Sequence, residues 1–195
     1  MLLLLVAACV PAPVDSTPPA SGEPAPGDCS AEVVATLTAT AVATAPRVSW
    51  TTPTASPSWI RFTNGDGRTR ESRVDDAQTE HEVVLVGVLP DAVFSYQIMV
   101  DDEAGERCVG AGQGTTGPLP AGLPESTGTA GEAGSAEGLT VAPVNGGTNA
   151  ANHWIVVFDE EGRMVGATEP IDASNGLPMQ VMTVQIAADG LGILF

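Results

Sequence analysis

The amino-acid sequence predicts an all-β protein: a two-layer sandwich through the middle of the chain and a partial antiparallel sheet after it. Three observations lead there. Between residues 31 and 116, short strand-like runs recur with turn signals between them. No stretch carries the helical repeat of apolar positions. Aromatic residues are only 4% of the 195 while hydrophobic residues are 43%, so a core must rest on Val, Leu, Ile and Ala, with three Trp as large anchors. The length allows one or two small domains.

The expected strands of the sandwich are 32–40, 42–50, 58–63, 68–74, 80–89, 93–101 and 106–112. Thr52-Pro53 and Ser56-Pro57 are expected to separate the second from the third, because proline cannot donate to a ladder. Asn64-Gly65-Asp66-Gly67 supplies the positive φ of a tight hairpin. Pro90-Asp91 turns the fifth strand into the sixth. Short strands at this spacing suggest a sandwich.

Particular residues add a family resemblance. Pro46-Arg47-Val48-Ser49-Trp50, followed by Pro53, resembles the second strand of a fibronectin type III domain with its buried tryptophan. Leu85-Val86-Gly87-Val88-Leu89-Pro90 resembles that family's fifth strand and following turn. The family places a tyrosine four residues after the proline; Phe94 stands there, and Tyr96 follows on the same strand face. The resemblance implies a fibronectin type III/immunoglobulin-like sandwich over residues 29–117, with Trp50, Leu85, Phe94 and Tyr96 in its core.

Of the three cysteines, Cys9 has a separate role described below, leaving Cys29 and Cys108. Cys29 precedes the first expected strand and Cys108 sits early in the last. In a seven-strand antiparallel order those strands start at one pole, so a Cys29–Cys108 bridge is expected in an oxidising compartment. The alternative is two free thiols buried as small hydrophobes.

Residues 118–138 are a second low-complexity stretch, read as a linker. In 139–195, apolar runs 139–144, 154–158 with 164–167, and 181–186 with 191–195 are joined by Asp159-Glu160-Glu161-Gly162 and Ala188-Asp189-Gly190. Repeated hairpins with Asp/Gly turns suggest an incomplete β-propeller blade. The run Gly192-Ile193-Leu194-Phe195 is strand-forming up to the last residue, which predicts a fragment or an early stop in a longer gene.

At the other end, residues 1–8 with Cys9 read MLLLLVAAC: an apolar run, two small residues and a cysteine. This resembles a bacterial lipoprotein signal, which implies cleavage before Cys9 and acylation of its thiol. No Lys or Arg precedes the run, so either the start lies upstream or the signal is weak. The run is too short to span a bilayer as a helix. Residues 9–28 are rich in Pro, Ser and Gly and read as a disordered tether. Val10 after the cysteine, rather than aspartate, favours the outer membrane by analogy with Gram-negative lipoproteins.

Net charge is −17, which repels phosphate backbones and argues against nucleic-acid binding. Every basic residue is Arg, which looks like coding bias. His81 and His153 are read as surface or strand-end residues, since no neighbouring base or charge stabiliser accompanies them. Asp75-Asp76, Asp101-Asp102-Glu103 and Asp159-Glu160-Glu161 lack the alternating ligands of a calcium loop and read as solvated turns. No zinc motif, serine elbow or phosphate-cradling loop occurs. No catalytic residue, metal or cofactor is therefore assigned.

The sandwich, the linker from Gly117-Pro118-Leu119-Pro120 and the run Trp154-Ile155-Val156-Val157-Phe158-Asp159 are together similar to the N-terminal region of bacterial arylsulfotransferase-family proteins, which join a β-sandwich to a catalytic propeller. That resemblance implies an exported, lipid-anchored protein whose sandwich supports a propeller truncated here, with the catalytic region absent. The alternative is a stand-alone surface module for adhesion to a protein or glycan partner. In either case the membrane is met through the lipid, and a monomer is expected.

Overall fold

A computed structural model describes residues 29–123, 138–145, 153–171, 174, 185–186 and 193–194. Every described element is a strand, as the sequence predicts. Cys9 and the stretch 1–28 lie outside the described residues, as does the turn 188–190.

The sandwich is one curled antiparallel sheet of six strands: β1 (Thr36–Thr38), β2 (Arg47–Thr63), β3 (Thr69–Glu71), β4 (Asp75–Val84), β5 (Val93–Asp102) and β6 (Gly105–Thr115). The expected break at Pro53 and Pro57 does not occur. The second and third expected strands are a single strand, β2, which belongs to both layers. Its first residues pair with β1 and with 80–84 of β4; its last pair with β3 and β5. The prolines sit in the bend, where the β2–β4 register shifts between Thr51, Ser56 and Ser58. A bulge leaves residues out of the ladder, so a missing N–H costs nothing there. Both halves of β2 feed one core, with Val48 and Trp50 meeting Ile60, Phe62, Val83, Leu85, Phe94, Tyr96 and Ile98.

Other boundaries also move. The expected fifth strand, 80–89, instead begins at Asp75 and ends at Val84. Beyond it, 85–92 is a loop in which Gly87 takes a φ of 95°, while Leu85 and Val88 still point into the core. The loop is held by Asn64, whose Nδ2 donates to Gly87 O (3.0 Å). The last strand runs on to Thr115, through glycines that argue against a strand in sequence alone. The pairing explains them: Ile98, Tyr96 and Phe94 lie opposite Gly110, Gly112 and Gly114. A Cβ on Gly112 would lie 2.5 Å from the Tyr96 hydroxyl, and one on Gly114 would lie 2.6 Å from Phe94 Cζ. The aromatic rings occupy the space that side chains on β6 would need.

Cys29 and Cys108 form a disulfide, with Cα atoms 4.7 Å apart. The cystine packs with Trp59 and Met99 in a small cluster apart from the main core. It holds the incoming chain against β6, where Ser30 N donates to Cys108 O and Val33 N to Val109 O.

After the sandwich, β7 (Thr140–Asn145), β8 (His153–Phe158) and β9 (Met164–Thr168) form an antiparallel meander, and β10 (Gln185–Ile186) pairs with β11 (Ile193–Leu194). The expected linker starts as packed structure: Leu119 and Leu123 lie against Trp154, Val156 and Ala167 of the meander.

Two outcomes test this packing. The bridge closes a 79-residue separation, so reducing it is expected to cost about 4 kcal/mol in the chain-entropy account. An unchanged urea midpoint after reduction would contradict that. Gly112→Ala is expected to lose about 1–3 kcal/mol by forcing the Tyr96 ring aside. Ala111→Ser, on the exposed face, should leave the midpoint in place.

Candidate functional site

Three features place chemistry on this frame: a buried polar corner, an arginine–carboxylate latch, and a cleft between the sandwich and the meander.

The corner forms where β2 bends. Trp50 lies opposite His81 in register, and their rings stack 5.1 Å apart. His81 is only 3% exposed, which corrects the expectation of a surface or strand-end histidine. Alternation on β4 turns it inward together with Val83. Its Nδ1 stands 3.5 Å from Asp75 Oδ2, and its Nε2 3.2 Å from Thr52 Oγ1. Asp75 is buried as well, held by Arg73 (3.0 Å) and Gln78 (2.8 Å). Nearby, Trp50 Nε1 donates to Ser58 Oγ, which donates to Met99 O.

Carboxylate, imidazole and hydroxyl stand in the order of a hydrolytic triad. Here, however, the Thr52 hydroxyl is buried, and its one proton lies within reach of the carbonyls of Thr54 (2.9 Å) and Gln78 (3.3 Å). Its bonds close inward, so this group ties down the bulge rather than presenting a nucleophile. A polar hollow of about 610 Å³ lies over the corner, walled by Arg73, Gln78, Glu80 and Glu82.

The latch joins two turns. In the sandwich, Gly67 N donates to Asn64 O and Arg68 N to Asp66 Oδ1. In the meander, buried Asp159 accepts from Glu161 N, Arg163 N and Arg163 Nε, and Gly162 takes a φ of 75°. Between the turns, Arg68 pairs with Glu160 and Glu161, Arg70 with Glu160, and Arg163 with Asp66 (2.9 Å). Asp159-Glu160-Glu161 is thus a docking element, which corrects its reading as a solvated turn. Burial pushes the Glu160 carboxyl up, but hydrogen bonding by Arg70 and the charges of Arg70 and Arg68 outweigh it and hold it below the usual carboxylate range. The Arg68 backbone N–H, followed by Arg163, does the same for Asp66.

The cleft, about 730 Å³, lies between the sandwich and the meander. Its walls include Phe62, Val83, Leu139, Ile155, Val157 and Val165. Its polar rim is already paired: Arg47 with Glu82, Glu71 with Arg61, Arg73 with Asp75. All seven arginines are in ion pairs, the last being Arg107 with Glu32 and Asp102.

Of the residues singled out from the sequence, Trp50, Leu85, Phe94 and Tyr96 share the main core and Cys29 and Cys108 are bonded. His153 opens β8, in register with Asn145. Among the described residues, no three His, Cys, Asp or Glu side chains are grouped to hold a metal ion. Sequence reasoning missed the His81 corner and the latch. Counting back by twos from Leu85 and Val83 reaches His81 and would have placed it inside; nothing local joins Arg68 to Glu160.

No family model matches the chain, and no curated protein matches it. Among solved structures it is similar to a fibronectin type III domain derived from a human protein, at 14% identity and a TM-score of 0.34, over 54% of this chain and 87% of that one.

Because the Glu160 and Asp66 carboxyls are held low, their contribution is complete above about pH 4–5 and is lost as pH falls through their depressed values. Amide protection factors of β8 and β9 are therefore expected to fall below about pH 4, before those of β5. Glu160→Gln should produce the same loosening at neutral pH, at a cost of roughly 1 kcal/mol. Protection factors of β8 and β9 that keep pace with those of β5 across the pH range would rule the latch out.

Proposed function

We propose that this chain belongs to an exported, lipid-anchored protein of the bacterial cell envelope, and that its β-sandwich is a non-catalytic support for the β-element that follows. The latch carries this reading: a sandwich hairpin and a meander turn, distant in sequence, are joined by three arginines against carboxylates. Leu119 and Leu123 reinforce it by covering the meander's other face. A support must fix the orientation of what it carries, and charged pairs that require both turns together do so geometrically.

The finer parts of the proposal rest on sequence. Ala7-Ala8-Cys9 after an apolar run, with a Pro-rich tether behind it, suits acylation of Cys9 and attachment to the outer membrane. On the resemblance of the sequence to arylsulfotransferase-family proteins, the meander would open a propeller and the chemistry would belong to later blades rather than to this chain. A second reading, a stand-alone surface module for a protein or glycan, is favoured by one observation, the 730 Å³ cleft.

Labelling cells with an alkyne fatty acid should tag the parent protein and not Cys9→Ser. Equal labelling of both would remove the anchor. For the support role, Arg68→Ala with Arg70→Ala should expose β8 and β9 to exchange while β2 and β5 stay protected. Unfolding of sandwich and meander in one transition would instead favour the stand-alone module.

A further inference from the structure

We propose that the cleft between the sandwich and the meander binds a small aliphatic molecule with a neutral hydrogen-bonding head, such as a medium-chain alcohol or ester. This goes beyond the support role and does not depend on it.

The cleft's size, about 730 Å³, falls in the range of small-molecule sites, and contacts between packed units are where such sites commonly form. Among the described residues its walls are mostly aliphatic and Phe62 is the one aromatic residue, so a flexible chain fits them better than a stacked planar ring.

Thr44 supplies the second observation. It is 2% exposed and lines the cleft, yet its Oγ1 has no hydrogen-bond partner. A buried hydroxyl left unmatched costs about 1–3 kcal/mol, so a ligand group that meets it recovers free energy. This hydroxyl can donate and accept, which suits a hydroxyl or carbonyl oxygen.

Charge selects the class of head. The rim guanidiniums of Arg47 and Arg73 are each already paired with a carboxylate, so no uncompensated cation awaits an anion. The net charge of −17 further disfavours an anionic ligand.

Gly166 gives a way to fill the space. It lines the cleft, and a Cβ there would meet Thr44 Oγ1 at 3.5 Å and Val157 at 3.6 Å, ordinary contacts that leave the backbone undisturbed. The test uses the full chain, titrated by calorimetry with 1-decanol and separately with decanoate. One saturable 1-decanol site is expected, with decanoate bound more weakly. Gly166→Leu should weaken binding at least about tenfold by occupying the cleft. Thr44→Val, nearly isosteric, should weaken 1-decanol binding about three- to tenfold, the value of one hydrogen bond. Its unliganded thermal midpoint should hold or rise, because the hydroxyl has no partner to lose. A Thr44 with a purely structural role would lower that midpoint and leave binding alone. Absence of a saturable site, tighter binding of decanoate than of 1-decanol, or parent-like 1-decanol binding in both variants would each overturn the proposal.

Discussion

The passage of a single strand, β2, from one layer of the sandwich to the other is the constraint on which the rest depends. Its two ends pair with different neighbours, so a bend between them must be fixed or the layers lose their register. The ladder to β4 is interrupted there around the two prolines, and side-chain polar groups fix the bend. Trp50 reaches Ser58 across the bend, Ser58 reaches Met99 in the neighbouring strand, and Thr52 meets His81. Buried polar groups that are matched in this way specify one geometry, because unmatched ones would carry a large desolvation cost.

From that bend follows the shape of the core. With both halves of β2 facing each other, β5 contributes its large side chains at close quarters, and only glycines on β6 leave them room. The edge of β6 is then covered by the chain ahead of β1, which the Cys29–Cys108 bridge holds in place. An edge protected in this manner is a poor template for pairing with another chain.

The meander is joined to this frame by different physics. Apolar residues cover one face of it through Leu119 and Leu123, while the turn at Asp159–Gly162 is fixed by ion pairs to the sandwich hairpin. Individually such partly exposed pairs contribute little, but a network sharing carboxylates on two turns fixes orientation. Ion pairs at one end and incomplete packing at the other leave the cleft, with Thr44 buried in its wall.

Alternation and turn chemistry were legible without coordinates. They placed the hairpins at Asn64–Gly67 and Asp159–Gly162 and an all-β architecture, because side-chain period and positive-φ glycines are local properties, while Trp50, Leu85, Phe94 and Tyr96 were expected inside from the resemblance to fibronectin type III strands. The continuity of β2 through Pro53 and Pro57, the extension of β6 through its glycines, the burial of His81 and the union of Arg68 with Glu160 were decided only by the tertiary structure. A proline's missing donor matters only if a partner strand waits opposite it. A glycine weakens a strand unless a ring fills its place. The charge of Arg68 finds its carboxylate 92 residues away only after both turns are folded. In each instance the deciding neighbour is remote in sequence, and the fold alone brings it near.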